Sequence, residues 1–179
     1  MTQGKVILRA LEPEDLDELY SIENDRSLWD VGSANVPYSR YSLRSFIANT
    51  TNDIYADRQM RFVIATADES VAGLADLFNF DPRHSRAEVG IVLKAALRGR
   101  GIAKAALGEL HWYAAEVLDI FQLYAVVSSM NEKSLRLFMS LGYEATATLR
   151  NWLSVGQGYQ DALLLQKKIK KSSPVIWQI

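Results

Sequence analysis

Three stretches of this chain carry residue types that can do chemistry. One is Arg98-Gly99-Arg100-Gly101-Ile102-Ala103, followed by Lys104, directly after the apolar run from Ala87 to Lys94. A glycine-rich turn at a helix start leaves several backbone N–H groups unpaired and pointing outward, with the helix dipole behind them. That is a ready seat for a phosphate or pyrophosphate. Gly99 and Gly101 let the backbone approach a ligand with no Cβ in the way, and Arg98, Arg100 and Lys104 add positive charge at the rim. A plain strand-to-helix turn would use the same residues, so the turn alone leaves both readings open. It is neither a P-loop nor a dinucleotide-binding turn, because the lysine pattern of the first and the third glycine of the second are missing.

A second stretch is Asn131-Glu132-Lys133-Ser134, opening a short helix through Phe138 to Leu141 and closed by Gly142-Tyr143. Asn131 suits an N-cap and Gly142 a helix stop. The third feature is Glu88, a carboxylate on the apolar strand that feeds the glycine turn. It can take a proton from a reacting group, or it is a rim carboxylate paired with Arg86 or solvated.

The elements that must hold these residues read off the pattern. Lys5 to Ala10 alternates as a strand; a helix follows from Pro13 to about Asn24, with Leu16, Leu19, Tyr20 and Glu23 on one face. Ser27 to Tyr41 reads as a loop or a broken helix, its rings Trp29, Tyr38 and Tyr41 either exposed or, as aromatics more often are, packed on the core, and Ser42 as a cap of a helix carrying Leu43, Phe46 and Ile47. Arg61–Ala67 and Val71–Phe80 flank the turn Asp68-Glu69-Ser70 as an antiparallel hairpin. Asp76 within it faces water or walls a substrate. The helix after the glycine turn shows a core stripe of Ile102, Ala106, Leu110, Tyr113 and Val117, with His111 off it as a solvated or partly packed side chain. Gln122–Ser128 is a buried strand, and the helical crossover makes it parallel to Ala87–Lys94. Glu144–Val155 and Tyr159–Gln166 form a hairpin about Gly156-Gln157-Gly158. The basic run Lys167–Lys171 is a solvated face, and the apolar tail docks on a subunit or lies loose.

Composition bounds the rest. The 179 residues fit one domain, and 20 basic against 21 acidic side chains leave a net charge of −1, with no footprint for nucleic acid. Zero cysteines exclude disulfides, thiolate metal sites and a cysteine nucleophile, and His84 and His111 alone make no histidine metal site. No apolar run is long enough for a membrane span and no signal-peptide core is present, so the expected location is the cytoplasm.

The spacing Arg-x-x-Gly-x-Ala (Arg98, Gly101, Ala103) after an apolar strand resembles the pyrophosphate-binding signature of the GNAT superfamily of N-acetyltransferases. Asn131, Ser134, Phe138 and Leu141-Gly142-Tyr143 are similar to that superfamily's second block, at the expected distance. The opening LRALEPEDLDELYSIENDR and the closing TLRNWLSVGQGYQDALLLQK resemble its ribosomal-protein alanine and spermidine N-acetyltransferase branch. The resemblance runs from Lys5 to about Lys168. It implies a single α/β (α+β) domain over residues 1–170, with a tail at 171–179. The implied sheet is mixed and mostly antiparallel, flanked by helices and splayed between two parallel strands where coenzyme A enters.

The implied activity is transfer of an acetyl group from acetyl-CoA, as cosubstrate, to a primary amine. The amine would belong to a protein N-terminus, a polyamine or another small molecule, and would attack directly in a ternary complex. Ile91, Val92, Leu93, Arg98, Gly99, Arg100, Gly101, Ile102, Ala103, Lys104, Asn131, Ser134 and Phe138 would line the coenzyme. An ammonium of pKa ~10 must lose a proton before it attacks, and Glu88 is the chosen acceptor. The backbone around Ile91 to Leu93 would polarise the thioester carbonyl. Many relatives protonate the departing thiolate from a tyrosine at the position of Phe138, which has no proton to give. A water, Ser134 or Tyr143 serves instead, or the thiolate (pKa ~8.5) leaves unassisted.

Polyamine-acetylating relatives carry an acidic pair where this chain has Asn35-Val36, before Pro37-Tyr38; Glu23, Asp25 and Asp30 could take over that role. No nucleic acid or membrane partner is expected, and a homo-oligomer is possible. Phe138 keeps open a second reading, a catalytically weak acyl-CoA-binding sensor or interaction protein. The glycine turn alone keeps open a third, a nucleotide-phosphate binder.

Overall fold

A strand whose side chains alternate in character must bury one face, and the strands of this chain do so as one seven-stranded sheet in a computed structural model that describes residues 5–26 and 37–170. In chain order the elements are β1 (Ile7–Ala10), α1 (Leu16–Glu23), α2 (Arg40–Asn49), α3 (Ile54–Asp57), β2 (Met60–Ala65), β3 (Gly73–Asp81), β4 (Arg86–Leu93), α4 (Ile102–Glu116), β5 (Gln122–Ser128), α5 (Glu132–Ser140), β6 (Glu144–Val155) and β7 (Gly158–Lys168). The strands lie side by side as β1-β2-β3-β4-β5-β7-β6. Every neighbouring pair is antiparallel except β4 and β5, which the α4 crossover makes parallel.

The parallel ladder is short. It holds Arg86↔Gln122, Ala87↔Leu123 and Glu88↔Tyr124, and stops there. Beyond it β4 stays with β3 as far as the Leu93↔Gly73 pair, while β5 stays with β7 as far as Ser128↔Ala162. The two strands therefore part into a V whose apex is the Glu88↔Tyr124 rung, giving the mixed, splayed sheet expected from the sequence. Gly73 keeps the free arm of β4 tight against β3: a Cβ there would sit 2.1 Å from the Val92 carbonyl oxygen.

Each face of the sheet has its own core. On one, Ile64, Leu77, Ala87, Val89, Leu123 and Leu165 pack under Ala106, Leu107, Leu110 and Ala114 of α4. On the other, Val63 and Leu74 meet Leu19 and Ile22 of α1 and Leu43 of α2. Leu107 and Leu110 are fully buried, each worth roughly 1.5–3 kcal/mol over exposure. Pro13–Asp15 forms a 3-10 turn ahead of α1, fixed by Asp15, which accepts from the Glu12 N–H (2.9 Å) and pairs both oxygens with Arg9 (2.7 and 2.8 Å).

Several expectations need correction. The buried side of α4 is Ala106, Leu107, Leu110, His111, Ala114 and Ala115, so His111 lies inside the stripe, while Val117 at the helix end is 52% exposed. Ser39, not Ser42, caps α2: its side chain accepts from the Ser42 N–H, and Arg40 and Tyr41 are helical. Tyr38 and Tyr41 are exposed rather than packed on the core, because Tyr41 lies on the outer side of α2; Trp29, Asp30, Asn35 and Val36 lie outside the described residues. The single turn α3, capped by Asp53, has no counterpart in the sequence reading. No helix among the described residues is long and apolar enough to cross a membrane.

Candidate active site

Alternation along β4 places Ala87 and Val89 in the α4-side core and turns Glu88, Gly90 and Val92 to the α1–α2 face. Glu88 is half-buried there. Its Oε2 accepts from Asn79 Nδ2 at 2.8 Å, and the Tyr124 side chain and the Val126 backbone lie close enough to favour its charged form. Asn79 reaches it because the β3–β4 register shifts between Phe78 and Asp81, where Asn79 takes φ 50°, a left-handed conformation that asparagine tolerates. Burial raises Glu88 above the ordinary glutamate range, more than these polar neighbours lower it. Arg86 is not its partner: Arg86 Nη2 pairs with Asp81 at 3.2 Å. A carboxylate at the apex of the V, with a raised proton affinity, is equipped to accept a proton from a group approaching the opening.

The free arm of β4 carries Ile91, Val92 and Leu93 along one wall of the V. Among the described residues no strand pairs with it on the β5 side, so peptide groups of this arm are left for a ligand. A 3-10 turn, Ala95–Leu97, leads on to Arg98, whose Nε donates to the Leu93 carbonyl at 3.1 Å and ties the turn to the strand. Gly99 and Gly101 follow with φ 77° and 80°. Both lie in the left-handed region that favours glycine. A Cβ at Gly99 would meet nothing within 4 Å, so the space beside the turn is open. The helix α4 then begins, with Ala105 N donating to Gly101 O at 3.1 Å. The N–H groups of Ile102, Ala103 and Lys104 precede the first intrahelical partner. Arg98, Gly99, Arg100 and Lys104 are exposed around them. Open backbone, unpaired donors and positive rim together fit a pyrophosphate.

The second stretch is built as expected at its start and, with Gly142 stopping the helix at φ 85°, at its end. Asn131 Oδ1 accepts from Ser134 N at 3.1 Å, capping α5, and Ser134 keeps part of its surface. Phe138 is buried, its ring meeting Tyr143 edge-on at 5.0 Å between centroids. Tyr143 is only 3% exposed, with its hydroxyl 2.9 Å from His111 Nε2. Lys167 completes this group, its Nζ donating to Leu141 O (2.6 Å) and lying 3.3 Å from His111 Nδ1. An ammonium has only protons to give, so Nδ1 accepts and Nε2–H donates to the Tyr143 oxygen. Burial raises the Tyr143 phenol above the usual tyrosine range. The structure therefore brings Glu88, the β4 arm and the glycine turn together around the V, and sets Tyr143 in the core behind Phe138.

One cluster was missed by the sequence reading. Arg61 Nε and Nη2 each reach an oxygen of Asp76 at 2.8 Å, and Nη1 pairs with Glu23 of α1. Arg61 lies opposite Asp76 in the register, and Asp76 opposite Gly90, so this cluster shares the α1–α2 face with Glu88. A Cβ at Gly90 would come within 3.1 Å of the Phe78 ring and 4.0 Å of Asp76 Oδ2. Glycine there keeps the floor open between Asp76 and Glu88. The signal was available: a hairpin centred on Asp68-Glu69 pairs 61 with 76.

Against known proteins, residues 5–144 match the acetyltransferase (GNAT) domain model. The chain is 28% identical over 158 residues to spermidine N(1)-acetyltransferase of Escherichia coli, covering 88% of this chain and 83% of that one. It is 25% identical over 168 residues to the spermidine N(1)-acetyltransferase of Vibrio cholerae serotype O1, covering 92% and 95%. The crystal structure of spermidine N-acetyltransferase from Vibrio cholerae in complex with CoA and spermine superposes with a TM-score of 0.80 at 24% identity, over 94% of this chain and 96% of that one.

Proposed function

This chain belongs to the acetyltransferase (GNAT) family, N-acetyltransferases whose acyl donor is acetyl-CoA, and on that premise we propose that it acetylates a primary amine by direct attack, with Glu88 accepting the amine's proton. The observation that carries this reading is the Glu88 carboxylate at the apex of the β4–β5 V. Acetyl-CoA supplies the activated acetyl thioester. Gly99, Gly101 and the first N–H groups of α4 hold its pyrophosphate, with Arg98, Arg100 and Lys104 at the rim. Backbone donors of Ile91 to Leu93 orient the thioester carbonyl and stabilise negative charge developing on its oxygen. Glu88 takes the ammonium proton at Oε1 or Oε2, directly or through one water, which leaves a neutral nucleophile on the α1–α2 side. Asn131 and Ser134 line the far side. Tyr143 is buried in the core behind Phe138, so Ser134 or a water delivers a proton to the departing sulfur.

The acceptor we favour is a polyamine. Two relatives are spermidine acetyltransferases. The carboxylates of Asp76 and Glu23 beside Glu88 give that face acidic groups, with Arg61 offsetting part of their charge. A peptide N-terminus is the second candidate. The test is free-thiol release from acetyl-CoA with spermidine, amino acids and peptides starting with Ala or Ser. Release with spermidine ahead of the peptides supports the reading. Release with peptides alone replaces the acceptor. No release with any amine, while acetyl-CoA still binds tightly, would favour an acyl-CoA sensor.

A further inference from the structure

Strand β3 breaks its alternation near its end. Leu77 packs in the α4-side core and Phe78 turns to the other face, its ring 3.1 Å from where a Cβ at Gly90 would lie. A regular strand would send Asn79 back to the core with Leu77 and bring Phe80 out beside Glu88. The ladder does the reverse. Phe78 pairs with Glu88 and Asp81 with Arg86, so Asn79 and Phe80 together stand opposite Ala87 alone, a bulge of two residues against one. Phe80 is 5% exposed and belongs to the core, while Asn79, at φ 50°, reaches Glu88 Oε2 through Nδ2 at 2.8 Å.

The bulge is pinned from outside the sheet. The Phe80 N–H donates to the Arg58 carbonyl at 3.1 Å, and the Phe80 ring meets Tyr55 edge-on at 5.1 Å between centroids. Arg58 ends α3 in a left-handed conformation, φ 58°. The single turn α3 therefore holds Phe80 in the core, and with Phe80 committed there the neighbouring amide is turned to the carboxylate.

We propose that Asn79 is a positioning residue for the proton acceptor, its amide fixing the Glu88 carboxylate at the apex of the V. The role rests on Glu88 being that acceptor. A neutral amide donor favours a carboxylate over a carboxylic acid, so Asn79 also works against the burial that raises Glu88. Holding the carboxylate in one orientation keeps it ready for an approaching ammonium. Among the described residues the other ionisable groups on this face are Tyr124 from β5, Arg86 with its partner Asp81, and, across Gly90, Asp76 with Arg61 and Glu23. Changes at Asn79 leave all of these in place.

Asn79→Gly keeps the backbone, since glycine adopts φ 50° freely, and removes the donor. Asn79→Asp keeps the shape and sets a like charge beside Glu88. Two readouts are taken on the full chain. Carbon-13 NMR of the glutamate δ carbons, with the Glu88 resonance assigned by its loss in Glu88→Gln, gives the pH midpoint of that carboxyl. Free-thiol release from acetyl-CoA with spermidine gives the acid limb of kcat/KM. Loss of a donor to the charged form raises the midpoint. Midpoint and limb should both move to higher pH, by roughly 0.5–1 unit in Asn79→Gly. They should move further in Asn79→Asp, with acetyl-CoA binding unchanged by calorimetry. A midpoint that stays in place in both variants would overturn the role of Asn79 and leave Glu88 as the acceptor. A midpoint that moves while the acid limb stays would instead remove Glu88 as the acceptor, and this role with it.

Discussion

Glu88 lies directly opposite Tyr124 on the last rung of the parallel ladder, with the Tyr124 side chain and the backbone of Val126, one step into the opening, close enough to favour its charged form. The Glu88 carboxylate is thus met by the strand that departs as well as by the strand that carries it. A glutamate one position earlier would sit in the α4-side core with Ala87. Two positions later it would fill the space that Gly90 leaves beside Asp76.

Phe138→Tyr adds a hydroxyl to a ring packed on α5 near Ser134. It is expected to raise kcat by about tenfold, because an acid then stands where water or Ser134 now serves. Acetyl-CoA affinity should stay unchanged. Steady-state thiol release with calorimetric Kd checks this, and an unaltered kcat would show that thiolate departure does not limit the rate.

His111 makes the fold acid-sensitive. Burial, with the charge of Lys167 second, lowers it from 6.5 to about 4. Above pH 6.5 it is neutral in folded and unfolded chains and contributes no pH dependence. Between 6.5 and about 4 the unfolded chain takes a proton that the folded one refuses, so stability falls as pH falls. The loss is on the order of 3 kcal/mol across that window. Urea unfolding at stepped pH should show this slope in the native chain and a flatter one in His111→Met. Equal slopes would mean that His111 is not the group responsible.

Arg61→Ala strips Asp76 and Glu23 of their shared cation. The pair is about a quarter exposed, so the cost is below that of a fully buried one, about 2 kcal/mol. A melting point lower by roughly 4–8 °C is expected. The KM for the amine should change while the Kd for acetyl-CoA holds. A melt indistinguishable from the native one would show the cluster to be structurally idle.

What the sequence made legible follows from how tightly each feature is constrained. The glycine turn was readable because a left-handed backbone at a helix start tolerates few residues, and Gly99 and Gly101 sit there. The parallel pair was readable because a helix between two buried strands allows one connection. Asn131 announced its cap for the same local reason. The phase of α4 was not legible: Ala105, Ala106, Ala114 and Ala115 suit either side, so the helix could be turned to leave His111 outside. Only its partners, Tyr143 from the end of α5 and Lys167 from β7, show that it is buried. The assignment of Ser42 as cap failed because Ser39 and Ser42 are equally good caps three residues apart. Arg61 and Asp76 needed the hairpin register before their pairing could be seen, and Glu23 needed the placement of α1 over the sheet.

The most direct measurement is the rate of free-thiol release in Glu88→Gln against the native chain from pH 6 to 9, with acetyl-CoA binding followed by calorimetry. Glutamine keeps the shape and can still accept from Asn79, but it takes no proton. The expected result is a kcat lower by about 10²–10³-fold, acetyl-CoA bound as in the native chain, and partial recovery toward high pH, where the amine arrives already neutral. A Glu88→Gln chain that turns over at the native rate across this range would remove Glu88 from the reaction and leave the V as a binding cleft alone.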